Sequence, residues 1–320
     1  MAMVERSSYL RKINRTCLVF AVWVTVATAF AAPNDSSDGT FVHYASFPSN
    51  LVEPRPVDVW LPADYGVSDD RYPVIYMHDG QMVLDKPTSP LTGFWMTLSG
   101  WYYGGLFWDV DKTMARLIRE EKIRPAIVVS VWNLPGTKRR DEYMPQKPVT
   151  EEVAQLISAS GSDITREKIT SDNYLKYLVE EIKPLIDKTY RTKPDKEDTF
   201  IMGSSMGGMI SAYAISQYPE VFGGAACLST HWPLGDGAVI DWYENNWPQA
   251  GSNRLYFDYG TETLDAEYEP YQQQMDALMR KQGFIEGDDW ITRRFDGADH
   301  SPKAWRERLH IPLTFLLSPQ

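Results

Sequence analysis

The fold is predicted from nine consecutive residues, Phe200-Ile201-Met202-Gly203-Ser204-Ser205-Met206-Gly207-Gly208. Its first three residues end an apolar run that predicts a buried strand, and residues 206–217 predict a helix. Between them lies the pattern G-x-S-x-G, in which two glycines prevent collisions at a tight strand-to-helix turn. The stretch therefore predicts an α/β fold with Ser205 raised above one end of the sheet, at a helix N-terminus that favours a developing oxyanion. The alternative interpretation is a glycine-rich turn without catalysis.

The rest of the chain alternates short β-branched and aromatic runs with helical periodicities, without an internal repeat. We expect one mostly parallel sheet of about eight strands with helices on both faces, its first two strands forming an antiparallel edge. The predicted strands span 42–47, 57–61, 74–77, 126–132, 199–202, 224–228, 255–259 and 290–295. The predicted helices span 109–121, 172–189, 206–217, 267–283 and 302–316. Residues 85–108 and 132–170 fit neither pattern and are expected to be loops or small insertions.

Composition excludes several classes of protein. The chain has 320 residues, 43% of them hydrophobic and 23% charged, which is typical of a folded globular protein. Its net charge of −11 argues against binding to nucleic acid, which requires clustered cations. Zinc-protease, C-x-x-C and phosphate-loop motifs do not occur in the sequence, so we expect neither metal nor organic cofactor.

The first 31 residues resemble a secretory signal. Four basic residues precede an apolar run over 17–30, and Ala29-Phe30-Ala31 supplies small residues at the positions that a signal peptidase recognises. The run is about 14 residues, shorter than the roughly 20 that a membrane anchor needs. We expect cleavage after Ala31, a single domain over 32–320, no stable membrane insertion, and a periplasmic or extracellular location. Of the two cysteines, Cys17 and Cys227, cleavage removes the first, so no internal disulfide is expected.

A serine needs a base and the base needs a carboxylate. Of the five histidines, His300 alone lies on the loop after the last predicted strand, where the Ser, acid, His order of this type of fold places the base. The acid is expected just past the penultimate strand, where Glu262 and Asp265 both qualify. Asp265 is favoured, although it could instead cap a helix.

The same fold type predicts two backbone donors for the oxyanion. One is the N–H of Met206, and the other is expected from Gln81 in the segment His78-Asp79-Gly80-Gln81-Met82. His78 is expected to brace this segment. We assign substrate contacts to Asp79 in this segment and to His231 and Trp232, which follow the strand 224–228. The alternative for His231 is a packed structural role.

The segments containing His78-Asp79-Gly80-Gln81, the Ser205 turn, Arg140-Asp141-Glu142-Tyr143 and Asp299-His300-Ser301 together resemble the "putative esterase" family of the α/β-hydrolase superfamily. That group includes esterase D, enterochelin esterases, and feruloyl and acetylxylan esterases. The resemblance covers nearly the whole mature chain and implies hydrolysis of carboxylic esters without a cofactor. It carries Ser205 and His300 over and leaves the acid open between Glu262 and Asp265.

The predicted function is a secreted serine esterase. Its substrate is expected to be a small, aromatic or sugar-linked ester, because Trp and Tyr are frequent in the irregular regions and their rings stack on flat groups. The same rings could equally fill a core. An acyltransferase with the same triad and a non-catalytic binding domain are the alternatives. The sequence does not indicate an oligomeric state.

Overall fold

Nine strands among the described residues form one sheet, in the order β1-β2-β3-β5-β4-β6-β7-β8-β9. The computed structural model describes residues 30–31, 38–84, 107–159, 161 and 163–319. The strands are β1 (Phe30–Ala31), β2 (Thr40–Phe47), β3 (Arg55–Leu61), β4 (Val74–Met77), β5 (Ile127–Val131), β6 (Thr199–Ser204), β7 (Gly224–Leu228), β8 (Arg254–Gly260) and β9 (Trp290–Phe295).

The sheet is mostly parallel, as predicted. Strands β4 to β9 run parallel to one another, whereas β1, β2 and β3 pair antiparallel at one edge. All eight predicted strands are present. The additional strand, β1, has two residues and falls within the predicted signal segment.

Helices flank the sheet, and several lie where the sequence predicted only loops. The helices are Gly80–Val83, Val110–Arg119, Thr137–Tyr143, Glu151–Ala159, Ser171–Lys176, Lys183–Thr189, Met206–Gln217, Ala238–Tyr243, Glu269–Lys281, Pro302–Arg308 and His310–Leu317. A π-helical turn, Tyr177–Ile182, joins two of them, so the predicted helix 172–189 is one irregular helical segment. The predicted helix 302–316 is divided at Leu309. Pro312 lacks the N–H that would bond to the carbonyl of Arg308 there.

Both faces of the sheet are buried, which explains the continuously apolar strands. In β6 the side chain of Ile201 belongs to one apolar cluster, and those of Phe200 and Met202 belong to the cluster on the opposite face. Strand β7 alternates in the same way, with Cys227 and Leu228 on opposite faces. The carboxyl ends of β6, β7 and β8 are therefore held in register by packing on both sides.

The predicted signal segment lies almost entirely outside the described residues, and its cleavage stays a prediction. Within the described part of the chain, no helix combines the length and the apolar character needed to cross a bilayer.

Candidate active site

Ser205 occupies a sharp turn between β6 and the helix Met206–Gln217. Its backbone has φ 58° and ψ −122°, a conformation that L-residues rarely adopt. Glycine is required beside it, because a Cβ on Gly203 would lie 2.6 Å from the carbonyl oxygen of Gly207. The Ser205 amide donates to the carbonyl of Leu228 over 2.9 Å, which fixes the turn to β7. The predicted strand-turn-helix is therefore present, with its backbone strain concentrated at the serine.

His300 and Asp265 form a close pair on two neighbouring loops. The His300 Nδ1 lies 2.5 Å from Asp265 Oδ1. Burial raises the pKa of Asp265, but hydrogen bonds from His300, Ser229 and the Gly260 amide outweigh it and hold that pKa below its usual value. Asp265 is thus a carboxylate at neutral pH. Nδ1 of His300 carries a proton and donates it in a hydrogen bond to Asp265. The lone pair of the imidazole is left on Nε2.

Main-chain and side-chain bonds hold the two loops together. The amides of Thr261 and Glu262 both donate to the carbonyl of Ala298, each over 3.0 Å. The His300 amide donates to Thr263 Oγ1 over 2.9 Å. Asp265 faces inward and is 1% exposed, whereas the side chain of Glu262 is exposed to solvent. Of the two predicted acids, the loop therefore brings only Asp265 to His300.

A buried polar network supports Asp265 from behind. Ser229 Oγ donates to Asp265 Oδ2 over 2.6 Å, and it accepts hydrogen bonds from Arg308 and from the indole of Trp305. Arg308 is also paired with Asp258 at 2.9 Å. The side chains of Ser229, Arg308 and Asp258 are nearly inaccessible to solvent, as is that of Asp265. The sequence analysis missed these residues, because they come from three segments distant along the chain.

Two further side chains stand beside Ser205. The backbone amide of His231 donates to the carbonyl of Ser205 over 3.3 Å. The ring nitrogen Nδ1 of His231 lies 2.6 Å from the hydroxyl of Tyr268. The ring of Tyr268 in turn meets the ring of His300 edge-on, with centroids 5.6 Å apart. His231 is therefore next to the predicted nucleophile, as expected, while Tyr268 is a site residue that the sequence analysis did not identify.

Asp79 has a different place from the predicted one. Its carboxylate is buried and accepts two hydrogen bonds from Arg139, at 2.6 and 2.7 Å, and a third from Asn133. It lies against the start of the nucleophile helix, because a Cβ on Gly207 would be 3.3 Å from Asp79 Oδ2. With its oxygens occupied, Asp79 braces the loop after β4 and does not present a free carboxylate to a substrate.

His78 also braces this loop, as predicted. Its Nδ1 lies 2.8 Å from the hydroxyl of Tyr174, and burial lowers its pKa to about 3. Gln81 is the second residue of the helical turn Gly80–Val83, and its side-chain oxygen accepts from the backbone amide of Asn133 over 3.3 Å. Met206 is the first residue of the helix Met206–Gln217, where an N–H has no acceptor within the helix. The assignment of Met206 and Gln81 to an oxyanion hole stays a prediction.

Trp232 is not a surface group. Its side chain is fully buried, its indole donates to Gln272 over 3.0 Å, and it packs against Tyr243 and Phe257. The expectation that Trp232 contacts substrate is corrected, because its ring is enclosed in the core below the loops. Trp95, Trp101, Tyr102 and Tyr103, four of the aromatic residues in the irregular region 85–108, lie outside the described residues.

No group of three or more His, Cys, Asp or Glu side chains in the described part of the chain could hold a metal ion. The polar groups around Ser205 are those of a hydroxyl, an imidazole and a carboxylate. This set of groups is the one that nucleophilic attack by serine requires.

Residues 49–313 match the family described as "Putative esterase". The chain belongs to this family. The endo-1,4-beta-xylanase/feruloyl esterase of Xylanibacter ruminicola is 27% identical over 205 residues, which are 62% of this chain and 23% of that protein. This chain thus spans about a quarter of the length of that relative.

Solved structures agree with the α/β-hydrolase fold. A ferulic acid esterase has a TM-score of 0.59 at 16% identity, over 87% of this chain and 97% of that one. The enterobactin esterase of Shigella flexneri has a TM-score of 0.57 at 18% identity, over 87% of this chain and 59% of that one. This member of the esterase family therefore has the α/β-hydrolase fold that its sequence predicted.

Proposed function

We propose that this protein is a serine carboxylic ester hydrolase that forms an acyl-enzyme on Ser205, with His300 as the base and Asp265 as the acid. The observation that carries the proposal is the 2.5 Å contact between Asp265 and His300. It lies at the same end of the sheet as the strained turn of Ser205. Membership of the esterase family supports an ester as the bond that is cleaved.

The first half-reaction follows from the protonation states. Because Asp265 is ionised, His300 keeps its proton on Nδ1 and accepts the Ser205 proton at Nε2 as the Ser205 oxygen attacks the ester carbonyl. Asp265 then stabilises the imidazolium. That imidazolium returns the proton to the leaving alcohol, and the acyl group remains on the serine. In the second half-reaction water replaces the serine hydroxyl and the same proton transfers release the acid.

The tetrahedral intermediates carry an oxyanion that needs donors. We propose the N–H of Met206, at the N-terminus of the nucleophile helix, and a second N–H from Gln81 in the segment after β4. Removing one such donor in other hydrolases costs about 3 kcal/mol of transition-state stabilisation. The position of Asp79 supports this assignment, because its carboxylate is bound by Arg139 and lies against Gly207, near the start of the helix that begins at Met206.

We propose a phenolic or sugar-linked ester as the substrate class. The support is the name of the relative, which combines a xylanase with a feruloyl esterase. The values of kcat/KM for methyl ferulate, an acetylated xylose and a catecholate ester of the siderophore type should be compared with those for plain butyrate esters. At least one of the three should exceed the butyrate values. Faster hydrolysis of plain butyrate esters than of all three would contradict the substrate class while leaving the triad untouched.

We also propose that the enzyme acts after export and that its signal is cleaved after Ala31. Sequencing the N-terminus of protein recovered from the periplasm or the medium should show Ala32 as the first residue. Recovery of the uncleaved chain in the cytoplasm alone would contradict export.

The triad is tested by hydrolysis of p-nitrophenyl acetate. Ser205→Ala and His300→Ala should each lower kcat about a thousandfold or more. The matched controls are Ser204→Ala, next to the nucleophile, and His310→Ala, at an exposed position of the last helix, and both should keep wild-type turnover. Wild-type activity in both triad variants would overturn the proposal. An excess of transesterified over hydrolysed product when an alcohol is added would instead indicate an acyltransferase.

A further inference from the structure

Tyr268 lies beside two members of the proposed triad, Ser205 and His300. Its side chain is 1% exposed, and its ring meets the His300 ring at an interplanar angle of 74°. Burial and the charge of Asp265 raise the pKa of the Tyr268 phenol, whereas hydrogen bonding with the Ser205 hydroxyl lowers it. The net direction is upward, so the phenol keeps its proton at neutral pH. Tyr268 thus offers an O–H group immediately beside the nucleophile.

His231 fixes the position of that hydroxyl. Its Nδ1 is 2.6 Å from the Tyr268 oxygen, and its own main chain is bonded to the carbonyl of Ser205. Burial, followed by the nearby His300 and Arg139, lowers the pKa of His231 to about 4. His231 is therefore a neutral imidazole at neutral pH. It does not compete with His300 as a base, and it can hold the phenol through a single ring nitrogen.

The sheet order gives Tyr268 a definite side of the nucleophile. Ser205 follows β6, which lies between β4 and β7. The proposed oxyanion donor Gln81 follows β4, on one side of Ser205. His231, Tyr268 and His300 follow β7, β8 and β9, on the other side. Because His300 must return a proton to the leaving alcohol, the alcohol oxygen lies on the side of Tyr268.

On the basis of the proposed function, we propose that Tyr268 is a catalytic residue. Its hydroxyl donates a hydrogen bond to the reacting oxygens on the leaving-group side of Ser205. His231 is the residue that positions this hydroxyl. The phenol keeps its proton throughout. The proton taken from Ser205 still passes through His300 to the leaving alcohol. His231 donates from Nδ1 to the phenol oxygen, which leaves the phenol proton free to point at the reacting oxygen.

The decisive experiment compares two esters of one acid, methyl ferulate and 4-nitrophenyl ferulate, in Tyr268→Phe. An alkoxide leaving group needs a donor and a nitrophenolate scarcely does, so kcat/KM should fall about tenfold to hundredfold for the methyl ester and much less for the nitrophenyl ester. The matched control is Tyr271→Phe, which removes a phenol hydroxyl that donates to Asp236. It should change neither value. Equal losses for both esters, or no loss, would overturn the proposal.

Variants of His231 test the positioning role. His231→Phe should reproduce the leaving-group dependence of Tyr268→Phe, and His231→Asn, which keeps a side-chain N–H near the position of Nδ1, should restore most of the lost activity. The double variant His231→Phe, Tyr268→Phe should be no slower than Tyr268→Phe alone, because His231 acts through the phenol. Additive losses would show that His231 does not act through Tyr268.

A measurement without substrate separates this inference from the proposed function. In ¹⁵N spectra of the wild-type protein, His231 should be neutral at pH 7 with its proton on Nδ1, and the Nδ1 shift should change in Tyr268→Phe. A proton on Nε2, or a charged ring, would overturn the inference even if Ser205→Ala abolishes activity. If Ser205→Ala keeps wild-type activity, the proposed function fails and takes the inference with it.

Discussion

The Ser229 hydroxyl donates a 2.6 Å hydrogen bond to Asp265, on the oxygen that does not face His300. The amide of Gly260 donates to the same oxygen over 2.7 Å. Asp265 therefore has one oxygen committed to the scaffold and one to the imidazole. This division fixes the direction in which the carboxylate faces His300, although Asp265 lies on a short loop.

The two candidate acids should behave very differently on substitution. Asp265→Asn should lower kcat by roughly a thousandfold to ten-thousandfold, because the amide cannot stabilise the imidazolium or hold the correct tautomer. Glu262→Gln is the matched control and should leave kcat unchanged, since its side chain is exposed. Steady-state kinetics with p-nitrophenyl acetate measure both. A large loss in the Glu262 variant with a small one in the Asp265 variant would reverse the assignment.

Arg308 should be a stability residue. Arg308→Met would leave Asp258 buried without its ion-pair partner, and unfolding by urea should show a loss of about 3–5 kcal/mol. Arg280→Met removes an exposed arginine paired with Glu286 and should cost at most about 1 kcal/mol. Similar losses in the two variants would mean that the buried network contributes nothing specific to the fold.

Substitution of glycine should have a much larger effect in the turn at Ser205 than in an ordinary surface turn. Gly203→Ala would bring a methyl group within 3 Å of the backbone of Gly207, so the turn must deform, and both stability and kcat should fall sharply. Gly66→Ala has open space around its Cβ and should leave both nearly unchanged. Thermal unfolding and ester hydrolysis provide the comparison. A fully active, equally stable Gly203 variant would contradict the steric account of the turn.

Acid should destabilise the protein through His78. Its pKa is about 3 in the fold against 6.5 in the unfolded chain, so the unfolded state binds more protons as pH falls below 6.5 and the free energy of unfolding decreases. Between pH 7 and pH 5 this single group should cost about 2 kcal/mol. His78→Asn does not titrate there. The difference in unfolding free energy between wild type and variant should therefore change by about 2 kcal/mol between pH 7 and pH 5. A difference that stays constant would contradict the lowered pKa of His78.

The nucleophile turn could be predicted because its causes are local. Gly203 is required by its close contact with the backbone of Gly207, four residues further on, and the turn is preceded by a continuous apolar strand and followed by an apolar helix. The strands were predictable for the same reason, since burial on both faces leaves continuous apolar runs.

The acid and the supporting residues depend on long-range contacts, which spacing alone does not specify. Glu262 and Asp265 differ by three positions on one loop, and hydrogen bonds of that loop to Ala298 and His300 hold it so that Asp265 faces inward. Ser229 contacts Arg308, and Tyr268 contacts His300, because strands β7, β8 and β9 end side by side. Trp232 was misassigned because a position just after a strand does not distinguish a ring in a pocket from a ring in the core.

The edge strand β2 has a consequence for how the sheet meets other molecules. The two-residue strand β1 pairs only with Val42 and His43 of β2, and the cleavage proposed after Ala31 removes β1, which leaves β2 at the edge of the mature sheet. The pairing of β2 with β3 shifts register between Tyr44 and Phe47, and such a bulge twists an edge out of the flat shape that a second chain needs for hydrogen bonding. The distorted edge therefore opposes edge-to-edge hydrogen bonding between the sheets of two molecules.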